Sequence, residues 1–159
     1  MAHFTHYWKY ETVDDHQTMV RGREIPSKLD HTAGEQFKSR RVTAGDWLYV
    51  ISFRAGELRV VARLEVEDIV SQRLANKRLS YNPWRATEHV MAMPGSGSPI
   101  RFESRVPTAE VGAIRFLTTD GASSAPAMNR RGDFDPQTFR GVRQITEATA
   151  AIFDKVLGV

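Results

Sequence analysis

The chain contains no cysteine, which excludes disulfides, thiolate metal sites and a cysteine nucleophile. Long apolar runs are missing as well. The hydrophobic stretches are a few residues each, far short of the ~20 that a membrane-spanning helix needs. Met1 to Tyr10 lacks the apolar centre of a secretory leader, so a soluble, cytoplasmic protein with no membrane partner is expected. Charge of one sign is in short supply: 22 Lys+Arg stand against 19 Asp+Glu, a formal net charge of +3 and a pI near 9.4. That balance admits a nucleic-acid partner without requiring one. Lysine is scarce, with arginine supplying 17 of the basic residues and lysine 5. Guanidinium groups suit bidentate phosphate or base contacts, although a GC-rich genome produces the same skew.

What is present is an ordinary globular composition. The 159 residues are 41% hydrophobic and 26% charged, enough to bury a core and too apolar for a disordered chain. No repeat or long linker divides the sequence, so residues 1–159 read as one domain. Two segments carry loop chemistry: Met93–Pro99, rich in Gly, Ser and Pro, and the long Thr118–Asp135.

Phe4–Tyr10 alternates like a strand. Glu11–Asp30 is polar, contains Gly22 and Pro26, and reads as a loop. Thr32 and Glu35 have the spacing of a capping box, which predicts a short helix over Ala33–Arg41. Asp46–Phe53 and Glu57–Val66, joined at Arg54-Ala55-Gly56, predict a β-hairpin with Leu58, Val60, Ala62, Leu64 and Val66 on one buried face. Asp68–Lys77 reads as a helical turn, Thr87–Met93 and Ile100–Glu103 as short strands. Pro107–Val111 reads as a turn of helix and Ile114–Thr118 as a strand. Asp135-Pro136 opens a short helix, and Thr146 caps a final one from Glu147 to Leu157. The sum is an α+β chain: about six short strands in a small curved or closed β-barrel, with short helices at its flanks.

Aromatic residues are the chemically suggestive feature. Trp47 lies in the hairpin and reads as core; Trp8 and Trp84 suit packing or ligand stacking equally. Thr87-Glu88-His89 follows Trp84, and on a strand Glu88 and His89 point to opposite faces, so one of them at most serves a site. His31, Thr32 and Gln36 sit at the start of the predicted capped helix, where free N–H groups favour an anion or carbonyl. Arg130, Arg131, Arg140 and Arg143 flank the late loop and suit phosphate contacts or plain solvation. The histidines His3, His6, His16 and His31 lack ligand spacing, so no metal is expected, and no motif calls for another cofactor.

The order of these elements carries a resemblance. The aromatic strand end His6-Tyr7-Trp8, the polar loop, Thr32–Arg41, Gly45-Asp46-Trp47-Leu48-Tyr49-Val50 and then Arg63, Val66 and Ile69 together resemble the PUA-like superfamily. Within it the likeness is to EVE-type domains and their YTH and ASCH relatives, strongest over Trp8–Ile69. The resemblance implies a non-catalytic module that accepts a DNA or RNA base, modified or not, in an aromatic pocket, with any cutting left to a separate effector protein. Trp8, Gln36, Phe37 and Trp84 would line that pocket, with His31, Thr32, Glu88 and His89 near it and the four arginines on the backbone. Two other readings remain open: an enzyme of the same fold acting on RNA or modified nucleosides through Glu88 or His89, and an accessory subunit that binds a protein.

Overall fold

In the computed structural model, which describes residues 1–159, the β-branched and aromatic run Trp47–Arg54 forms the central strand β3. To introduce the remaining elements in chain order, β1 is His3–Tyr7, α1 Tyr10–Arg21, β2 His31–Gly34, β4 Glu57–Val70, α2 Gln72–Arg78, β5 Glu88–Ala92 and α3 Thr108–Val111. They are followed by β6 Phe116–Leu117, β7 Ser123–Ser124, a 3-10 turn at Pro136–Phe139, β8 Val142–Ile145 and α4 Glu147–Leu157. The eight strands make one mixed sheet in the order β2-β5-β4-β3-β1-β8-β6-β7. β1 runs parallel to β3, and the other pairings are antiparallel. The α+β character stands, but the sheet has free edges at β2 and β7 and does not close into the barrel of about six strands that the sequence suggested. No helix is long and apolar enough to cross a membrane.

The hairpin is where expected, with one correction. Val50 pairs with Ala62 and Ile51 with Val60, so Val61 is the extra residue of a bulge. A bulge reverses which face each following residue takes. Leu58 and Val60 therefore pack with Tyr49, Ile51 and Phe53 on one side of the sheet. Val61, Ala62, Leu64 and Val66 join Leu48 and Val50 on the other. The alternation that reads as a single buried face is divided between two cores. α4 and the 3-10 turn cover the first core through Ala150, Phe153, Leu157 and Phe139; Phe4, Trp8, Val13 of α1, Leu29 and Phe37 cover the second. α4 is pinned to the hairpin by Asp154, which accepts from Tyr49 Oη at 2.8 Å and from Arg63 Nη1 at 2.7 Å.

Three local readings change near the N-terminal half. Glu11–Asp30 is a loop only in its second part. Tyr10–Arg21 holds no Gly or Pro, and Val13 and His16 fall three apart on the inner face of α1, which stops at Gly22. The expected helix over Ala33–Arg41 is absent. His31–Gly34 pairs with β5 as an edge strand, and the chain then turns, with Gln36 at φ +71° and Arg41 at φ +64°. Thr32 does not cap: its hydroxyl is engaged by the Trp8 and His6 rings. β4 runs on to Val70, so helix begins only at Gln72, and Ile100–Glu103 lies outside any strand. By contrast the Asp135 and Thr146 caps are formed, accepting from Gln137 N and Thr149 N.

The Met93–Pro99 loop crosses the second core so closely that a Cβ on Gly97 would sit 1.8 Å from the Leu29 carbonyl oxygen. Loss of the Thr146 cap should cost about 1 kcal/mol, or roughly 2–4 °C in Tm for a chain of this size. Thermal melting should show Gly97→Ala far more destabilising than Thr146→Ala; equal effects would contradict the close approach.

Candidate functional site

β1 alternates, so Phe4 and His6 share a face, and the chain carries Trp8 onward in register, its N–H donating to the Ile51 carbonyl at 2.8 Å. Edge strand β2 docks against this face. Thr32 Oγ1 accepts from Trp8 Nε1 at 2.9 Å and lies 3.0 Å from His6 Nδ1. A hydroxyl has one proton to give, so with Trp8 donating, the natural assignment has Thr32 donating to a neutral His6. His6 also packs edge-on to Phe37, centroids 4.8 Å apart. A Cβ at residue 34 would meet His6 Nε2 at 2.8 Å, which explains glycine there.

A second polar chain continues from β2. His31 Nε2 lies 2.7 Å from His89 Nδ1, and His89 Nε2 lies 2.9 Å from Gln72 Oε1. The same Gln72 oxygen accepts from Ala86 N at 2.8 Å. It is therefore the carbonyl end of the amide, which makes His89 the donor to it and leaves His89 Nδ1 to accept from His31. Beside them, Tyr81 Oη donates to Asp30 Oδ1 at 2.7 Å. Burial raises the Asp30 carboxyl pKa, the Tyr81 bond acting the other way; burial together with the Asp30 bond raises the Tyr81 phenol.

α1 completes the group. The His16 imidazole stacks on Trp84 with centroids 4.0 Å apart and planes 5° from parallel, and on Trp8 at 3.8 Å with a 30° tilt. Two indoles that near cannot share one face of an imidazole, so His16 is sandwiched between them. Its only side-chain hydrogen bond, 2.9 Å, is to the Thr12 carbonyl of its own helix.

Four imidazoles thus gather at one end of the sheet, none hydrogen-bonded to a carboxylate. Burial drives the pKa of His6 to about 3 and of His16 to about 4. Burial, reinforced by the neighbouring histidines, takes His31 to about 3, and burial also lowers His89. No group of histidines and carboxylates is placed to hold a metal ion.

At the β1–β8 pairing beside Phe4 the molecule opens into a cleft of about 980 Å³. Gln36, Arg40, Arg41, Arg143 and Thr118 line it. Its one carboxylate, Asp46, is committed to Ala2 N and Thr43 N at 2.8 Å each. None of the three arginines has an ion-pair partner. Arg143 stacks over Phe116, 3.7 Å from the ring centroid, and donates to the Thr138 carbonyl. Burial and the nearby Arg40 lower its pKa. A guanidinium so placed favours an anion beside it.

The structure brings together six of the residues singled out in the sequence: Trp8, His31, Thr32, Phe37, Trp84 and His89. Gln36 is exposed and faces the cleft, away from the tryptophans. Glu88 points off, accepting from Lys38 N at 3.2 Å. Of the four basic residues only Arg143 reaches the cleft; Arg130 and Arg131 sit on an exposed turn and Arg140 ends the 3-10 turn. His6, His16, Tyr81, Gln72, Arg40 and Arg41 were missed. Alternation from Trp8 marks His6, and helical spacing from Val13 marks His16; nothing in the sequence marks the others. Comparison with protein-family models, curated proteins and solved structures finds no match for this chain.

The buried histidines make stability pH-dependent, with a definite sign. Their pKa values are lower folded than unfolded, so between about 6.5 and 4 the unfolded chain binds more protons and stability falls with acid. Each contributes up to about 1.4 kcal/mol per pH unit in that window. Urea unfolding at a series of pH values should give an uptake of more than one proton on unfolding near pH 5.5; stability unchanged from pH 7.5 to 5 would contradict the cluster.

Proposed function

We propose that the chain is a non-catalytic nucleic-acid-binding module of PUA-like, EVE-type character that takes one DNA or RNA base, modified or unmodified, between Trp8 and Trp84. The observation that carries this reading is the sandwich itself: two indoles hold a flat heteroaromatic ring of base-like thickness, contacted on both faces. Stacking on aromatic side chains is the sequence-tolerant way to hold an unstacked base, and such a site discriminates by the polar groups at the ring's edge. His31, whose Nδ1 the tautomers above leave as an acceptor, is close enough to His16 for the two rings to interact electrostatically and offers one such group. The arginine cleft supports the same reading. Phe4 lines it, and Phe4, His6 and Trp8 are successive same-face positions, with Phe4 and Trp8 about 13 Å apart along the chain at ~3.3 Å per residue. One oligonucleotide spans both, with its phosphates against Arg40, Arg41 and Arg143.

An acid–base role for Glu88 or His89 has less support. Glu88 is held by the Lys38 amide, and His89 is buried with both ring nitrogens engaged. Any cleavage is assigned to a separate effector protein.

The test is a binding titration against short single- and double-stranded DNA and RNA, with and without methylated bases, at two salt concentrations. Trp84→Ala should weaken selective binding about tenfold or more, since a base–aromatic stack is worth ~1–3 kcal/mol, while Tm falls by no more than about 5 °C. Arg40→Ala should weaken all single-stranded sequences alike and flatten the log–log salt slope by about 0.7. Binding that Trp84→Ala leaves intact would overturn the proposal.

A further inference from the structure

The slot between the tryptophans is already filled by a side chain of the same protein, and several features of α1 bear on that. The helix buries only Val13 and His16 among its 12 residues. Its N-terminus has no side-chain cap. No hydrogen bond or ion pair joins the His16 ring to the wall opposite; its one hydrogen bond stays within the helix. Past Gly22 the chain runs through exposed residues, including Arg23 at φ +56°, before it is anchored again at Ile25 and Leu29. By contrast, Trp8 is fixed by Thr32 and by the Ile51 carbonyl. The imidazole is thus the loosely held member of a stack in which at least one wall is rigid.

We propose that His16 is a resident stand-in for the ligand: its imidazole fills the Trp8–Trp84 slot in the free protein, and a nucleobase enters by displacing it, with α1 lifting as the lid. This rests on the base-binding reading above and adds to it a built-in competitor. Occupancy by His16 keeps the two indoles dry and spaced for a flat ring. It also sets a threshold, because any base must stack better than the imidazole it removes, and the apparent affinity is lowered by the fraction of molecules in the closed state.

Displacement has a consequence that simple burial of His16 does not. Between the indoles the ring is held neutral, its pKa near 4; turned out to water it regains its ordinary value near 6.5. Acid therefore favours the displaced form, and ligand binding takes up a proton. The groups that bear on this ring are Asp15 on its own helix, which favours the proton, and His31 of β2, with His6 and His89 behind it. Trp8 and Trp84, which form the two walls, do not titrate. His6 and His31 stay neutral down to about pH 3, and His89 keeps both ring nitrogens engaged with His31 and Gln72 whether or not the slot is emptied, so the ring that changes surroundings on displacement is His16. Between pH 7.5 and 5.5 the affinity should rise about tenfold.

The experiment measures binding of a short mixed-sequence single-stranded DNA carrying a pH-insensitive dye, at pH 7.5 and 5.5, to the full chain and to His16→Ala and His16→Phe. The wild type should bind about tenfold more tightly at the lower pH. His16→Ala should bind more tightly than wild type at pH 7.5 and lose most of the pH dependence. His16→Phe, a non-titrating ring, should bind more weakly than His16→Ala at both. If all three bind alike with the same pH response, the stand-in is wrong and the base-binding reading survives. If none binds this DNA or the RNA of the same sequence, including the emptied slot of His16→Ala, the base-binding reading itself fails. Should the variants not fold, the wild-type His16 ring decides by NMR: its titration should move from about pH 4 to about 6.5 on saturation with DNA, and an unchanged midpoint would overturn the proposal.

Discussion

Four imidazoles share one end of the sheet without a carboxylate bonded to any of them, and the arrangement holds only while all four are neutral. Neutral imidazole offers one donor and one acceptor, and the surroundings use them accordingly: Thr32 serves His6, the Thr12 carbonyl serves His16, and His31 passes to His89 and on to Gln72. A single proton added inside would place two donors where one acceptor is available and leave an unpaired charge buried. This constraint ties three parts of the fold together. β2 is an edge strand with only β5 as a ladder partner, and its hold on β1 comes from Thr32. α2 contributes Gln72, and α1 contributes His16.

The same constraint shapes the ligand chemistry. A slot walled by two indoles suits a flat heteroaromatic ring stacked on both faces. Positive charge is kept apart, in the cleft formed by Arg40, Arg41 and Arg143. β1 carries Phe4 at the cleft and leads to Trp8 at the slot.

The sequence was most legible where the chain decides locally. The hairpin, the Asp135 and Thr146 caps and the final helix follow from turn chemistry, capping oxygens and periodicity, and each is present. It was least legible where distant groups compete for one atom. Thr32-x-x-Glu35 has the pattern of a helix cap, but its hydroxyl is claimed by two rings distant in sequence, and Gly34 is needed for the approach of one of them, His6. The bulge at Val61 leaves the hydrophobic alternation unchanged in the sequence while moving half of it to another core. Among the site residues, Trp8 stood out at the end of an aromatic strand and Trp84 in a polar stretch after Asn82-Pro83. His16 did not, since it lay in a stretch read as loop, and a histidine on the inner face of a short polar helix gives almost no hydrophobic signal.

The central claim is that the space between Trp8 and Trp84 receives a base. Intermolecular NOEs between a bound oligonucleotide and the two indole rings test it most directly. The account predicts contacts from the protons of a single base to both Trp8 and Trp84, accompanied by loss of the ring-current shift on the His16 imidazole. Contacts confined to the Arg40, Arg41 and Arg143 cleft, with His16 still shifted between the two indoles, would contradict it.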